Sequence, residues 1–409
     1  MNVELTKNKL ASIENHIQEN YIKSGRFSCG ATLFYHKGEV VDGSLLGLMD
    51  IERNISVTRD TIFRIYSMTK PITSVAFMRL YELGLVDLDD PIHKFIPSWK
   101  DLIVYQSGDM NNFFGTPPTK PMTIKHLMTH QSGLTYGLMS DTKVDQAYRT
   151  LINLTDPHSH NLEELIEIIS NIPLIFTPGS AWNYSISTDV LGYLVSLISD
   201  MEFDEYLKKY IFNPLGMDDT DFYVPPEKLD RFAANYVSGP SNNTSEKDFS
   251  SSEGLRLIDD PGASIYSVKP TYLSGGGGLV STLNDYMNFS RMLLNKGTYD
   301  DVFILNPETI ELMTQNHIPD NQDLTNFAMQ GIRWAESSFQ DVGFGLGFSV
   351  QLSENNEGSK GQYGWGGAAS TYFWVDPEAD LICIFMTQFV PSYTYDIRNE
   401  LKRLVYAKD

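Results

Sequence analysis

Two hydrophobic periodicities alternate along the chain. Near the N-terminus, "CGATLFYHKGEVVDGSLLGLMD" is apolar-rich and broken at Lys37-Gly38, which predicts two strands joined as a hairpin. "TIFRIY" then forms a short apolar approach to Ser67. From Pro71 the pattern turns helical. Val75, Phe77, Met78, Leu80, Tyr81 and Leu83 suit a largely buried helix that closes near Gly84. The centre stays helical between irregular loops: "NLEELIEIISNI" keeps the helical period, while "STDVLGYLVSLISD" and "STLNDYMNFSRMLLNKG" open on Ser/Thr start signals. Strand character returns near Phe344 in "FGLGFSVQLSE", "GQYGWGG", "STYFWVD" and "DLICIFMTQ". Asp376 to Asp380 reads as a hairpin loop, and a closing helix runs roughly from Tyr395 to Tyr406. The polar stretch from Ser238 to Ser252 reads as a mobile loop.

Strands at both ends with helices between predict an α/β (α+β) fold. One antiparallel sheet is built from the N- and C-terminal segments and flanked by helices, with a mainly helical lobe inserted. In this reading residues 1–85 and 330–409 form the discontinuous sheet domain and 86–329 the helical lobe.

Composition narrows the function. The chain has 409 residues, 42% of them hydrophobic, enough for a large core. A net charge of −21, spread without long acidic runs, repels phosphate backbones and anionic headgroups, so neither nucleic acid nor membrane is expected as a partner. Cys29 and Cys383 each sit in an apolar strand-like run and read as buried, reduced thiols. The opening "MNVELTKNKLASIENHIQENY" lacks the basic-then-apolar order of a secretion signal, and no apolar run reaches about 18 residues. The expected location is the cytoplasm.

The chemistry concentrates at Ser67-Met68-Thr69-Lys70. Serine and lysine at i and i+3 share one helix face, so the amine can meet the hydroxyl. Pro71 is acceptable only in the first turn, which places Ser67 at a helix N-terminus, where unpaired N–H groups and the dipole favour an oxyanion. The pattern occurs again at Ser140 to Lys143, beside two acids and without an apolar approach strand, and is set aside there. His126 and His130 are spaced i, i+4 but enclose no glutamate; capping or packing is the reading adopted, and no metal is expected. His158 and His160 form a loop pair with no third ligand. Gly275 to Gly278 lacks the Lys-Ser/Thr of a phosphate loop. Asp42, Asp50 and Asp60 read as solvated loop acids.

The α/β-hydrolase pattern G-x-S-x-G is absent. Instead, S-M-T-K is followed in order by "MTIKHLMTHQSGL", "PGSAWNYSISTDVLGYLV", "FNPLGMDDTDF", "GGGGLVSTLNDYMNF" and "YGWGGAAS". These blocks resemble the serine β-lactamase and penicillin-binding-protein-like superfamily, near class C β-lactamases and family VIII carboxylesterases. The resemblance runs from about Gly30 to Thr387. It implies a β-lactamase-like fold, a Ser67 nucleophile, Lys70 with Tyr184 as general base, and the N–H groups of Ser67 and Ala368 as oxyanion hole. No cofactor is implied.

Two departures bear on substrate. Where the family carries K-T-G or H-T-G, this chain has Trp365-Gly366-Gly367, and tryptophan cannot ion-pair with a drug carboxylate. Ile186 stands where lactamase-like members carry an asparagine that holds the substrate's acylamino group. Trp365, Gly366, Gly367, Tyr136 and Trp182, with Tyr272 as a further candidate, are the expected substrate-binding residues. The expected partner is a small ester or amide, with ester hydrolysis as the activity. β-Lactam or D-amino-acid peptide hydrolysis and acyl transfer at the same residues are the alternatives.

Overall fold

Side-chain alternation along the strands decides the architecture. The computed structural model describes residues 3–152, 156, 158–239, 254–329 and 339–407. Eight strands form one antiparallel sheet: β1 (Cys29–His36), β2 (Glu39–Asp50), β3 (Ile55–Ser56), β4 (Val342–Phe344), β5 (Ser349–Gln351), β6 (Tyr363–Gly366), β7 (Tyr372–Asp376) and β8 (Leu381–Met386). Their spatial order is β4-β5-β6-β7-β8-β1-β2-β3. The N-terminal hairpin therefore docks beside the last C-terminal strand, with Phe34 opposite Cys383 and Leu33 opposite Ile384. This is the predicted sheet of chain ends.

Both faces of the sheet are covered. Phe34, Trp374, Leu381, Cys383 and Phe385 pack with Ile13 and Ile17 of α1 (Lys7–Ile17), and with Ile397, Leu401 and Val405 of α2 (Ile397–Tyr406). Leu33, Phe373, Val375, Ile382 and Ile384 point the other way into the larger core. Double-sided burial is why "DLICIFM" reads as an unbroken apolar run. It also separates the two cysteines, because Cys29 belongs to the larger core and Cys383 to the smaller. Both thiols are unpaired; burial pushes Cys29 up to about 11 and Cys383 well above the ordinary thiol value.

The helix after Ser67, α3 (Thr69–Glu82), is buried along most of its length and packs on α4 (Ser187–Ser199). It begins two residues before Pro71, preceded by one 3-10 turn at Tyr66–Met68. Pro71 still falls in the first turn, where its missing N–H has no intrahelical acceptor to lose. Gly84 (φ +69) ends the helix in a Schellman motif: Gly84 N–H donates to Tyr81 O at 2.9 Å, and Leu85 N–H to Leu80 O at 3.1 Å. α5 (Leu283–Leu294) starts at a Thr282 cap and packs on β8. All but the first two residues of the 238–252 stretch lie outside the described residues.

Candidate active site

A two-residue ribbon sets the site. Phe63–Arg64 pairs with Val280–Ser281, and Ile65 N–H donates to Leu279 O at 3.1 Å. This pairing brings the Gly275–Gly278 loop against the first turn of α3. Tyr66 takes φ +42, a left-handed value that costs a bulky residue ~1–3 kcal/mol and turns the chain sharply into Ser67.

Lys70 lies across that turn, almost fully buried. Its Nζ is 3.4 Å from Ser67 Oγ and donates to the Gly276 carbonyl at 2.6 Å. It also sits 4.5 Å from the ring centroid of Tyr184 and 5.1 Å from that of Tyr136. Serine, ammonium and phenol, 117 residues apart in sequence from Ser67 to Tyr184, thus share one locus. The Trp365 indole N–H donates to Tyr184 OH at 3.2 Å.

Rings enclose Tyr184. His130 lies 4.9 Å away, Tyr136 and Trp365 each 5.4 Å, and Trp182 stacks at 6.2 Å. Burial, then the nearby Lys70 charge, push His130 well below the ordinary imidazole value, so it packs as a neutral ring. Burial and the charge of Asp189 hold the Tyr136 phenol well above its ordinary value.

Ser67 and Ala368 both line a cavity of about 340 Å³, with Tyr66, Tyr136, Met139, Phe222, Tyr266 and Tyr272 among its other walls. Among the described residues, neither the Ser67 nor the Ala368 backbone N–H donates to a protein acceptor. Trp182, Trp365, Gly366 and Gly367 do not line this cavity. Lys70 and Tyr184 are likewise outside its lining, and both tryptophans pack on Tyr184. Gly367 is required by its neighbour, since a Cβ there would lie 2.3 Å from the Ile65 carbonyl oxygen; at Gly366 a Cβ would press only on the guanidinium end of Arg398, at 2.5 Å from Cζ.

Sequence reasoning missed the support beneath the lysine. Asp189, fully buried in the first turn of α4, accepts from Tyr272 OH at 2.7 Å, Ser274 Oγ at 2.6 Å and Gly276 N–H at 3.1 Å. It therefore fixes the loop whose carbonyl holds Lys70. A Cβ at Gly276 would lie 2.4 Å from Asp189 Oδ2 and 2.6 Å from Tyr136 OH, so this position needs glycine. An acid within the apolar run "STDVLGYLV" was the available signal.

The motifs set aside have structural occupations. His126 Nδ1 accepts from Thr123 N–H at 3.1 Å in a capping box, and burial lowers this imidazole to about 4. His160 Nδ1 meets Ser159 Oγ at 2.7 Å, and its ring packs on Tyr272.

The profile of the beta-lactamase family matches residues 13–408. The chain belongs to the beta-lactamase family. Within that family it is 32% identical over 381 residues to protein Rv1367c of Mycobacterium tuberculosis, covering 91% of this chain and 88% of that protein. Esterase EstB of Burkholderia gladioli is 28% identical over 287 residues, 68% of each chain. Among solved structures, EstCE1, described as a hydrolase with promiscuous acyltransferase activity, superposes with a TM-score of 0.77 at 24% identity. That likeness covers 98% of this chain and 99% of EstCE1, and it confirms the fold. The chain's curated relatives thus include hydrolases and acyltransferases. No helix among the described residues is long and apolar enough to cross a membrane.

Proposed function

We propose that this beta-lactamase-family chain hydrolyses small neutral carboxylic esters through a Ser67 acyl-enzyme. The observation that carries the reading is the placement of Lys70 Nζ against Ser67 Oγ and over the Tyr184 ring, with the Trp365 N–H aimed at the same phenolic oxygen. A phenol is a useful base near neutral pH only if its ionised form is stabilised. An adjacent ammonium and an indole donor both do so. Tyr184 with Lys70 takes the Ser67 proton as Oγ attacks the ester carbonyl. The developing oxyanion accepts from the N–H groups of Ser67 and Ala368. The alcohol leaves with a proton returned by the same pair, which then activates water to release the acid.

The described lining of the cavity contains no lysine or arginine, and its walls are largely apolar. This favours acyl and aryl groups over the carboxylate of a penicillin. The test is intact-mass spectrometry after brief exposure to p-nitrophenyl acetate or butyrate, beside a Ser67→Ala control. An acyl adduct in the native protein only is expected. Turnover of nitrocefin comparable with that of the esters would overturn the substrate assignment. Acyl transfer is the second reading, supported by the description of EstCE1. An added alcohol that competes with water for the acyl group would mark it.

A further inference from the structure

The cavity at Ser67 is apolar along most of its wall, yet it reaches the carboxylate of Asp259. That carboxylate is half committed. Its Oδ2 accepts from Arg64 Nε at 2.7 Å and from Ser264 Oγ at 2.9 Å. Arg64 is itself fully buried, with its other donors on Ala233 O, Gln388 Oε1 and Ser264 Oγ. Among the described residues Oδ1 accepts no side-chain hydrogen bond, and the side chain keeps 21% exposure. The Tyr66 phenol, on the residue preceding the nucleophile, lines the same cavity and accepts from Asn235 Nδ2 at 3.2 Å. Its own proton has no acceptor among the described residues.

Away from the nucleophile and its oxyanion donors, the cavity therefore presents an open acceptor at Asp259 and an open donor at Tyr66 within apolar walls. An alkyl chain laid over Asp259 would strip water from Oδ1 and return nothing, a penalty that falls on unsubstituted substrates. A hydroxyl can both donate to Oδ1 and accept from Tyr66. An ammonium is less suited, because Arg64 already balances the Asp259 charge. Burial holds the Tyr66 phenol above its ordinary value, Arg64 offsets part of this and Asp259 adds to it, so the phenol enters the contact neutral.

We propose that Asp259 and Tyr66 form a hydroxyl-recognition subsite, so that the preferred substrate is an ester bearing an alcohol group away from the scissile bond. This inference rests on the ester-hydrolase reading above. It names the polar feature of the substrate; that reading names only the bond.

The test compares kcat/KM for p-nitrophenyl 6-hydroxyhexanoate against p-nitrophenyl hexanoate, and for 6-hydroxyhexyl butyrate against hexyl butyrate. The two pairs place the hydroxyl on the acyl and the alcohol side. A hydroxylated-to-plain ratio of about tenfold or more is expected on one side, because a site built for a hydroxyl discriminates against its absence. Tyr66→Phe and Asp259→Asn should each pull that ratio towards unity; the asparagine can keep its oxygen on Arg64 while turning a donor to the cavity. Tyr66→Phe leaves the Arg64–Asp259 pair intact, so it carries the test if Asp259→Asn does not fold. Equal turnover of both members of each pair by the native protein, or a preference that survives both variants, overturns the subsite and leaves ester hydrolysis standing. Turnover of no ester, with no adduct on Ser67, overturns both.

Discussion

Ser67 to Lys70 and Ser140 to Lys143 spell the same S-x-x-K pattern in one molecule, and the fold gives them opposite roles. At the first, both side chains are buried, the serine lines a cavity, and the lysine turns inward to the serine, the Gly276 carbonyl and the Tyr184 ring. At the second, Ser140 Oγ donates to Asp145 Oδ2, and Lys143 lies on the surface reaching Gln146 at 3.2 Å. Thr142 caps the following helix in a box with the same aspartate. One serine has an ammonium beside it and an open cavity above. The other donates to a carboxylate shared with Thr135 and Thr142 and lines no part of that cavity. Four residues specify a spacing; the surroundings specify a chemistry.

The comparison is broken most directly at the serines. Ser67→Ala should lower ester turnover at least about 10⁴-fold, the scale on which removal of a nucleophile collapses acyl-enzyme catalysis. Ser140→Ala should leave kcat/KM within about twofold, since Ser140 lines no part of the cavity and its hydroxyl is bonded to Asp145 rather than to Ser67 or Lys70. Esterase assays on the purified pair, with thermal melts to confirm folding, decide it. Equal losses in both would place the chemistry elsewhere. The lysines come next. Lys70→Met should cost about 10²–10⁴ in kcat, the range for a proton-transfer partner, while Lys143→Met should change little.

Much of this contrast was legible before any coordinates. The alternation in "STYFWVD" and "DLICIFM" reports a sheet buried on two faces, and the Ser67 motif with its apolar approach strand and early proline reports a helix N-terminus. What stayed hidden depends on contacts across long separations. The Gly276 carbonyl that receives Lys70 lies 206 residues along the chain, and no local pattern marks one carbonyl in a glycine run. Trp182 and Trp365 look like cleft aromatics in sequence because size and polarity say nothing about which side of Tyr184 they occupy. In the fold they pack on Tyr184 and, like it, lie outside the cavity lining. Asp189 stands out in sequence only as an acid in an apolar run, because its three donors come from 83, 85 and 87 residues further along the chain.

Trp365 sharpens the contrast on the base side. Trp365→Phe keeps an aromatic ring beside Tyr184 and deletes only the donor at 3.2 Å. Losing a donor to the ionised form makes the phenolate harder to reach. The acidic limb of the pH–rate profile should then move to higher pH, with kcat/KM at neutral pH falling about tenfold. The same substitution should leave the stability effect of Ser140→Ala unchanged, because the sites share no partner. A profile that keeps its acidic limb in place would remove Trp365 from the proton-transfer machinery and leave it a packing role.

The smallest effect belongs to the second motif and concerns stability alone. Burial works to raise Asp145, but hydrogen bonds from Ser140, Thr142 and Thr135 outweigh it and hold the carboxyl below its ordinary value. A depressed carboxyl stabilises the fold above its unfolded value, and that contribution is lost as pH falls through the folded value. Ser140→Ala removes one of those donors, so it should cost about 1–2 kcal/mol near neutral pH, the scale of a hydrogen bond to a charged acceptor. The difference from the native protein should shrink as acid protonates Asp145 in both. Urea unfolding of the two proteins at neutral pH and at the lowest pH where both stay folded checks this. A gap that persists undiminished in acid would show that Ser140 acts through packing, and the account of the second motif as a carboxylate donor would have to be given up.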